Sequence, residues 1–288
     1  AFVGNGATIG GATLDINAQH NFEVPAGRKS KAYSEAGKVS ALGFQFTEAR
    51  AIASATLDSY LGGDATVTLD GALTISAKGV NNADADVESL NVGFIVSVGE
   101  TDTYAEANGS VKAGIKSSAL VSATPKIQVG GIGIVATTSD TANAKTIAAA
   151  GGLVSSSANS AVAYANSKEN SSNWDPLSDD DGDFTRDSKY VAANAYIVGN
   201  SAILVIDDED SGTGNVLLTA SAKPQADAFA KGTSGGGVDV GGSFAVARLE
   251  PVVSATIDSG AVIDADGTVS LDATATPGMG VVPTFEID

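Results

Sequence analysis

The feature that most constrains the fold is a short strand-like phrase that recurs five times along the chain. The copies read LDINA, LTISA, IGIVA, VLLTA and VSLDA, and they close at Ala18, Ala77, Ala136, Ala220 and Ala273. The intervals between these alanines are 59, 59, 84 and 53 residues. Self-similarity at a fixed period indicates a repeat architecture, in which stacked units bury the face that one unit cannot bury alone.

The repeat divides the 288 residues, as one β-repeat domain, into about four and a half units. We place these units at residues 1–59, 60–118, 119–200, 201–259 and 260–288. The interval of 84 residues exceeds 59 by 25, and an acidic loop insertion at residues 167–190 explains the excess. The insertion holds the only tryptophan and differs in composition from its surroundings, which is typical of a projecting loop.

Within the units, apolar or small residues recur at every second position, as in VDVGGSFAVA at 238–247. Period two indicates strands with one buried face. The stretch at 141–150 has helical propensity, but it aligns with alternating segments elsewhere, which favours a strand or connector. The sequence therefore predicts an all-β, elongated β-solenoid (β-helix-like) of about 59-residue repeats, each forming one broad coil or two smaller ones. An antiparallel β-sandwich is the alternative fold.

Composition excludes several classes of function. The formal net charge of −18 argues against binding of nucleic acid or of an anionic membrane surface, because both require basic patches. The chain has no cysteine, which excludes disulfides and thiolate metal sites. No apolar run approaches the roughly 18 residues that a membrane-spanning helix needs. Aromatic residues make up only 6% of the chain, fewer than an enzyme core usually carries.

Three segments carry a resemblance to known repeats: DATVTLDGALTISA, SGAVIDADGTVSLDATA and GGGVDVGGSFAVA. They resemble repeats of very large bacterial surface proteins, namely filamentous-haemagglutinin-like and leukotoxin-like filamentous adhesins. The resemblance covers most of the chain outside the insertion. It implies an exported stalk, adhesin or filament protein, secreted or at the cell surface, and it brings no catalytic residues.

The acidic insertion is the candidate metal site. The run DDDGD followed by Asp187 resembles part of a calcium loop, in which alternate carboxylates and a glycine turn surround a hard cation. The full EF-hand pattern is not satisfied, because Leu177 and Ser188 stand where acidic ligands belong. A solvated acidic loop is the simpler alternative. The ligands predicted for calcium are Asp179, Asp181, Asp183 and Asp187.

Other candidate groups are weaker. A second acidic cluster at residues 207–210 suits either a cation or a charged turn that discourages edge pairing. Trp174 and Arg186 flank the insertion acids, which keeps open a carbohydrate-active β-helix enzyme or a glycan-binding module. The single histidine, His20, follows the first strand phrase and suits a turn better than a catalytic triad.

The sequence thus favours a structural or adhesive repeat segment over an enzyme. Neither end of the sequence resembles a polar cap, so we expect a neighbour there: flanking repeats, a flanking domain or another copy of the chain. The expected partners are these repeats or copies, joined end to end or through strands, together with a surface glycan for an adhesive segment. Nucleic acid and membrane insertion are not expected.

Overall fold

A computed structural model describes residues 1–22, 29–123, 131–167, 191–206 and 214–287. These residues form seventeen strands, and the described ranges contain no helix. The prediction of an all-β chain is therefore confirmed. The stretch at 141–150 lies inside a strand, as its alternation favoured over its helical propensity.

The strands form three sheets. The first sheet contains, in spatial order, β1 (Phe2–Val3), β5 (Thr56–Leu61), β8 (Ser110–Ile115), β11 (Val191–Ile197) and β14 (Val252–Ile257). The second contains β2 (Thr8–Gly11), β6 (Thr66–Leu69), β9 (Leu120–Ala123), β12 (Ala202–Val205) and β15 (Val262–Ala265). The third contains β3 (Leu14–His20), β7 (Leu73–Ala107), β10 (Ile132–Ala165), β13 (Val216–Leu249) and β16 (Val269–Ala275). Two further strands, β4 (Ser30–Ala53) and β17 (Gly278–Ile287), pair with β7 and β13.

The chain visits the three sheets in turn and then begins again. We call each round a layer: β1–β4, β5–β7, β8–β10, β11–β13 and β14–β17 are layers 1 to 5. Neighbouring layers are joined by parallel strand pairing, at the usual spacing of about 4.8 Å. Every strand pairing in the described part of the chain is parallel, so the antiparallel sandwich does not describe this fold.

The five closing alanines of the recurring phrase lie in one column of the third sheet. Ala18 pairs with Ala77, Ala77 with Ala136, Ala136 with Ala220, and Ala220 with Ala273. The interval of 84 residues is accommodated without loss of register, because the extra residues fall outside the paired strands. Each recurrence of the phrase thus opens the third-sheet strand of one broad layer.

The long strands of the third sheet fold back on themselves. The hydroxyls of Ser89 and Thr101 lie 2.9 Å apart, although twelve residues of straight strand would separate them by about 40 Å. In layer 1 the Gln45 side-chain amide donates to the Ala36 carbonyl at 3.0 Å in the same way. The register between layers shifts at the bend, between Gly151 and Val154. We call the folded-back part the arm, with an outgoing half before the bend and a returning half after it.

The interior has two parts of different composition. The space between the three sheets is filled by large aliphatic side chains that are fully buried, among them Leu61, Ile75, Ile134 and Leu218. Inside the arm the buried apolar side chains are almost all alanines, which lets the two halves lie close together. The large aliphatic side chains therefore determine the width of the central body, and the small alanine side chains allow the arm to be thin.

The alanine interior of the arm makes a testable prediction. Ala144 is 2% exposed inside the arm, so we expect Ala144→Leu to push the two halves apart and to lower the free energy of unfolding by about 1–3 kcal/mol. Ala149 belongs to the same strand, on the outward-facing positions. Ala149→Leu is therefore the control, and urea unfolding compares the two. Equal losses would contradict an arm thickness set by alanine.

Candidate functional site

The predicted calcium ligands lie in the acidic insertion. Asp179, Asp181, Asp183 and Asp187 lie outside the described residues, as do Trp174, Arg186 and the cluster at 207–210. The calcium site stays a prediction from sequence, and calorimetric titration of the wild type and of Asp181→Ala tests it. Among the residues that are described, no group of three or more histidine, aspartate or glutamate side chains is placed to hold a metal ion.

His20 is the last residue of β3, next to Asn21, whose φ of 53° ends the strand. The His20 Nε2 atom lies 3.1 Å from the side-chain amide nitrogen (Nδ2) of Asn21. A cavity of about 340 Å³ adjoins this histidine, and its one lysine, Lys29, already donates to Asp84 at 3.3 Å. His20 therefore belongs to the strand itself, as its last residue, and not to a turn.

A smaller cavity of about 160 Å³ lies on the outer face of the returning halves of the arm. Parallel pairing brings three layers together there. Glu100, Ala158 and Gly242 form one column across layers 2, 3 and 4, and Asp102, Ser160 and Phe244 form the next outward column. The lining is completed by Asn159 and Ser243.

Of the polar side chains that line this cavity, some are hydrogen-bonded and others are left without a partner among the described atoms. The Ser160 hydroxyl donates to the Asp102 carboxylate at 2.7 Å. Asn159 is 3% exposed, and neither its amide nitrogen nor its amide oxygen has a hydrogen-bond partner among the described atoms. Two carboxylates and one phenyl ring thus surround a small space, which is the combination that a sugar-binding site would also use.

The size of this cavity decides what it can hold. Pockets for drug-sized ligands occupy about 300–1,000 Å³, whereas an apolar cavity of about 150 Å³ takes one benzene ring. At about 160 Å³ the cavity matches a single ring-sized group. The cavity was not visible in the sequence because Glu100 and Asp102 belong to one repeat and Phe244 to another, and only the register across an irregular interval brings them together.

A second polar cluster is fully internal. Asp140 has no exposed surface and lies where the aliphatic core gives way to the alanine interior of the arm. Its carboxylate accepts hydrogen bonds from the amides of Asn81 and Asn166, both at 2.6 Å, and from the Thr138 hydroxyl at 2.8 Å. The Gly109 N–H is a further donor. Asp140 therefore ties layers 2 and 3 together at the base of the arm.

The surroundings of Asp140 change its ionisation. Burial raises the pKa of Asp140 above its ordinary value of 3.8, and the hydrogen bonds from Asn81, Asn166, Thr138 and Gly109 only partly oppose that rise. The folded state therefore binds the Asp140 proton more tightly than the unfolded state does. The contribution of Asp140 to the free energy of unfolding is complete below pH 3.8. It is lost as the pH rises through the raised pKa that Asp140 has in the folded state.

The raised pKa of Asp140 predicts a pH dependence of the unfolding free energy that the variant Asp140→Asn removes. We expect the unfolding free energy of the wild type to fall, relative to Asp140→Asn, as the pH rises from acid to neutral, because the amide cannot ionise. Urea unfolding of both proteins at several pH values measures the difference. The amide places N–H groups against existing donors, so the variant is less stable overall, and the pH slope is the readout. Parallel pH curves would contradict a raised pKa at Asp140.

Comparisons with known proteins do not assign the site. No protein-family model matches the chain, and neither a curated protein nor a solved structure matches it. No helix long and apolar enough to cross a membrane occurs within the described ranges. The fold and the side-chain geometry therefore carry the functional argument.

Proposed function

We propose that this chain is a β-solenoid segment with a structural or adhesive role, in an exported surface protein or as the subunit of an extracellular filament. The observation that supports the proposal is the parallel strand pairing that continues through all five layers, with one continuous aliphatic core. In such a stack each layer contacts only its neighbours, so length grows with every layer added. The resemblance to filamentous adhesin repeats also supports a structural or adhesive role.

Within the described ranges, the strands at both ends of the stack leave one edge available for pairing with a further layer. The outermost strands β1, β2 and β3 pair on one side only among the described residues, and so do β14, β15 and β16 at the other end. Such edges offer backbone donors and acceptors to another strand. We propose that flanking repeats or another copy of the chain add there in the same parallel register.

An experiment on the repeat tests this proposal. Ser59 pairs with Ala113 in the first sheet, so inserting a second copy of residues 60–113 after Ala113 repeats one complete layer. We expect the longer chain to fold, to gain about 4.8 Å in length by X-ray scattering, and to unfold at no lower urea concentration. A copy of residues 60–86 is the control, because it ends partway along an outgoing half and breaks the register.

The competing function is a carbohydrate-active enzyme. It requires glycan turnover that depends on paired carboxylates, and Glu100 and Asp102 are the pair that the cavity offers. We expect no turnover of neutral or acidic glycans by the wild type. Turnover that Glu100→Gln abolishes, together with failure of the complete-layer duplication to fold, would overturn the structural proposal.

A further inference from the structure

An apolar band covers the outer face of the arm near its bends. Along the returning halves the side chains alternate, so that Gln45 and Thr47 are buried while Phe44 and Phe46 face outward, 54% and 72% exposed. Neighbouring layers continue the surface. The members of the apolar band are Leu42, Phe44, Phe46, Phe94, Ile95, Leu153, Val154, Val238 and Val240, each at least 41% exposed.

The area of the apolar band is that of an interface. With aromatic side chains of roughly 150–250 Å² each and somewhat smaller aliphatic ones, its nine exposed side chains present about 1,000 Å² to solvent. The largest apolar patch on a typical monomer is about 300–600 Å², and a stable complex buries about 800 Å² on each partner. One partner with an interface of ordinary size is therefore enough to cover the apolar band.

Two features of the returning halves are complementary in shape: an exposed phenyl ring in layer 1 and a cavity over layers 2 to 4. In one column of the returning halves the residues of layers 1 to 4 are Phe46, Glu100, Ala158 and Gly242. Phe46, 72% exposed, stands in layer 1, and the cavity of about 160 Å³ lies over layers 2 to 4 of the same column and the next. The exposed phenyl ring of Phe46 is the size of group that the cavity suits.

We propose that a second copy of this chain covers the apolar band, packed face to face about a two-fold axis that runs parallel to the strands between layers 2 and 3. This operation keeps each column opposite itself and reverses the order of the layers. Phe46 of each copy then lies opposite Gly242 of the other and fills the cavity there. Two equivalent ring-in-cavity contacts form, as a closed two-fold interface requires.

The charges beside the apolar band are compatible with this pairing. Glu100 of one copy lies opposite Ala158 of the other, and Asp102 lies opposite Ser160, because the acids of these columns stand only in layers 1 and 2. Glu48, in layer 1, lies opposite Phe244. No two carboxylates of these two columns face each other directly, although each copy carries a net charge of −18.

The reversed order of layers gives a sharp cross-linking test, because the chain has no cysteine of its own. Phe46 and Gly242 of one copy are three layers apart, about 14 Å at 4.8 Å per layer, which is too far for a disulfide within a chain. We expect the Phe46→Cys/Gly242→Cys double variant to form a covalent dimer on oxidation. An equimolar mixture of the two single variants should also cross-link, and neither single variant should do so alone.

Association without cross-links is measured by sedimentation equilibrium of the full chain. We expect Val240→Ser to raise the dimer dissociation constant at least about tenfold. Leu120→Ser is the control, since Leu120 is 50% exposed but lies in β9 of the second sheet, outside the apolar band and away from the edge strands. Added salt should tighten the dimer, because it screens the repulsion between two acidic copies.

A variant that fills the cavity tests the pairing in a chain that is expected to fold normally. A Cβ atom at Gly242 would meet nothing within 4 Å, so we expect Gly242→Leu to fold as the wild type does while its side chain takes the space that Phe46 of the partner copy needs. We expect this variant to unfold like the wild type and to lose the face-to-face pairing. End-to-end assembly through the sheet edges would not be affected, which separates this pairing from the proposed function.

Three outcomes would overturn the pairing. The first is a wild type that stays monomeric at every salt concentration and whose double-cysteine variant does not cross-link. The second is cross-linking by Phe46→Cys alone, which would place layer 1 against layer 1. The third is binding of a soluble oligosaccharide that Gly242→Leu abolishes, which would assign the cavity to a glycan instead.

Discussion

The Ile134→Ala variant is expected to lose about 2–5 kcal/mol of unfolding free energy. Ile134 has no exposed surface, and the register places it between Ile75 of the layer before and Leu218 of the layer after. Backbone hydrogen bonds on both sides hold the neighbouring layers at a fixed spacing, so the structure cannot collapse to fill the space. The loss therefore includes the cavity as well as the missing methylene and methyl groups.

Urea unfolding of Ile134→Ala measures this loss. Ile52→Ala is the control, because Ile52 is 43% exposed and faces outward from layer 1, so its loss should stay within about 0.5 kcal/mol. Layer 3 lies in the middle of the stack, and weakening it separates two halves that otherwise unfold together. We therefore also expect a lower m-value for Ile134→Ala. Similar losses for the two variants would contradict a continuous core.

Much of the fold was predictable because it depends on local pattern and on repetition. Alternation at period two identifies strands wherever one face is buried, and that condition holds in every layer. The recurring phrase marks one structural position, which is why Ala18 and Ala273 stand in the same column, although more than two hundred residues separate them in sequence. Repetition converts a local signal into a prediction about long-range pairing.

The arm was not predictable in the same way. Alternation continues through both halves of β7, so nothing in the pattern separates an outgoing half from a returning half. The bend falls at Gly93, and a glycine between two alternating stretches indicates a turn, a bulge or a close contact equally well. The alanines of the arm interior permit close approach of two halves, but a small side chain alone does not indicate that one strand approaches itself.

The candidate site was hidden for a related reason. The cavity joins Glu100 of layer 2 to Phe244 of layer 4, and the register between them depends on where an irregular interval places its extra residues. The buried Asp140 looks like any other aspartate in the sequence, because its donors come from Asn81 and Asn166 in separate segments. Sequence reasoning concentrated on the insertion acids, where a local motif was visible.

The bend of the arm carries the second large expected effect. We expect Gly152→Val to lower the free energy of unfolding by about 3 kcal/mol or more. A Cβ atom at Gly152 would overlap the carbonyl oxygen of Gly93, in the bend of the layer before. In the layer after, a Cβ at Gly236 would overlap the carbonyl of Gly152 in the same way. Backbone atoms cannot rotate aside as a side chain can, so the strain must separate the layers.

A matched substitution in the same strand distinguishes this strain from the general effect of replacing a glycine. Gly133 lies in β10 as Gly152 does, but a Cβ there would meet nothing within 4 Å. Since valine suits an extended strand better than glycine does, Gly133→Val should be neutral or more stable by up to about 1 kcal/mol. Urea unfolding of the two variants should therefore give effects of opposite sign or widely different size. If both lose the same free energy, close stacking of the bends does not hold the arm together, and the alanine interior alone must do so.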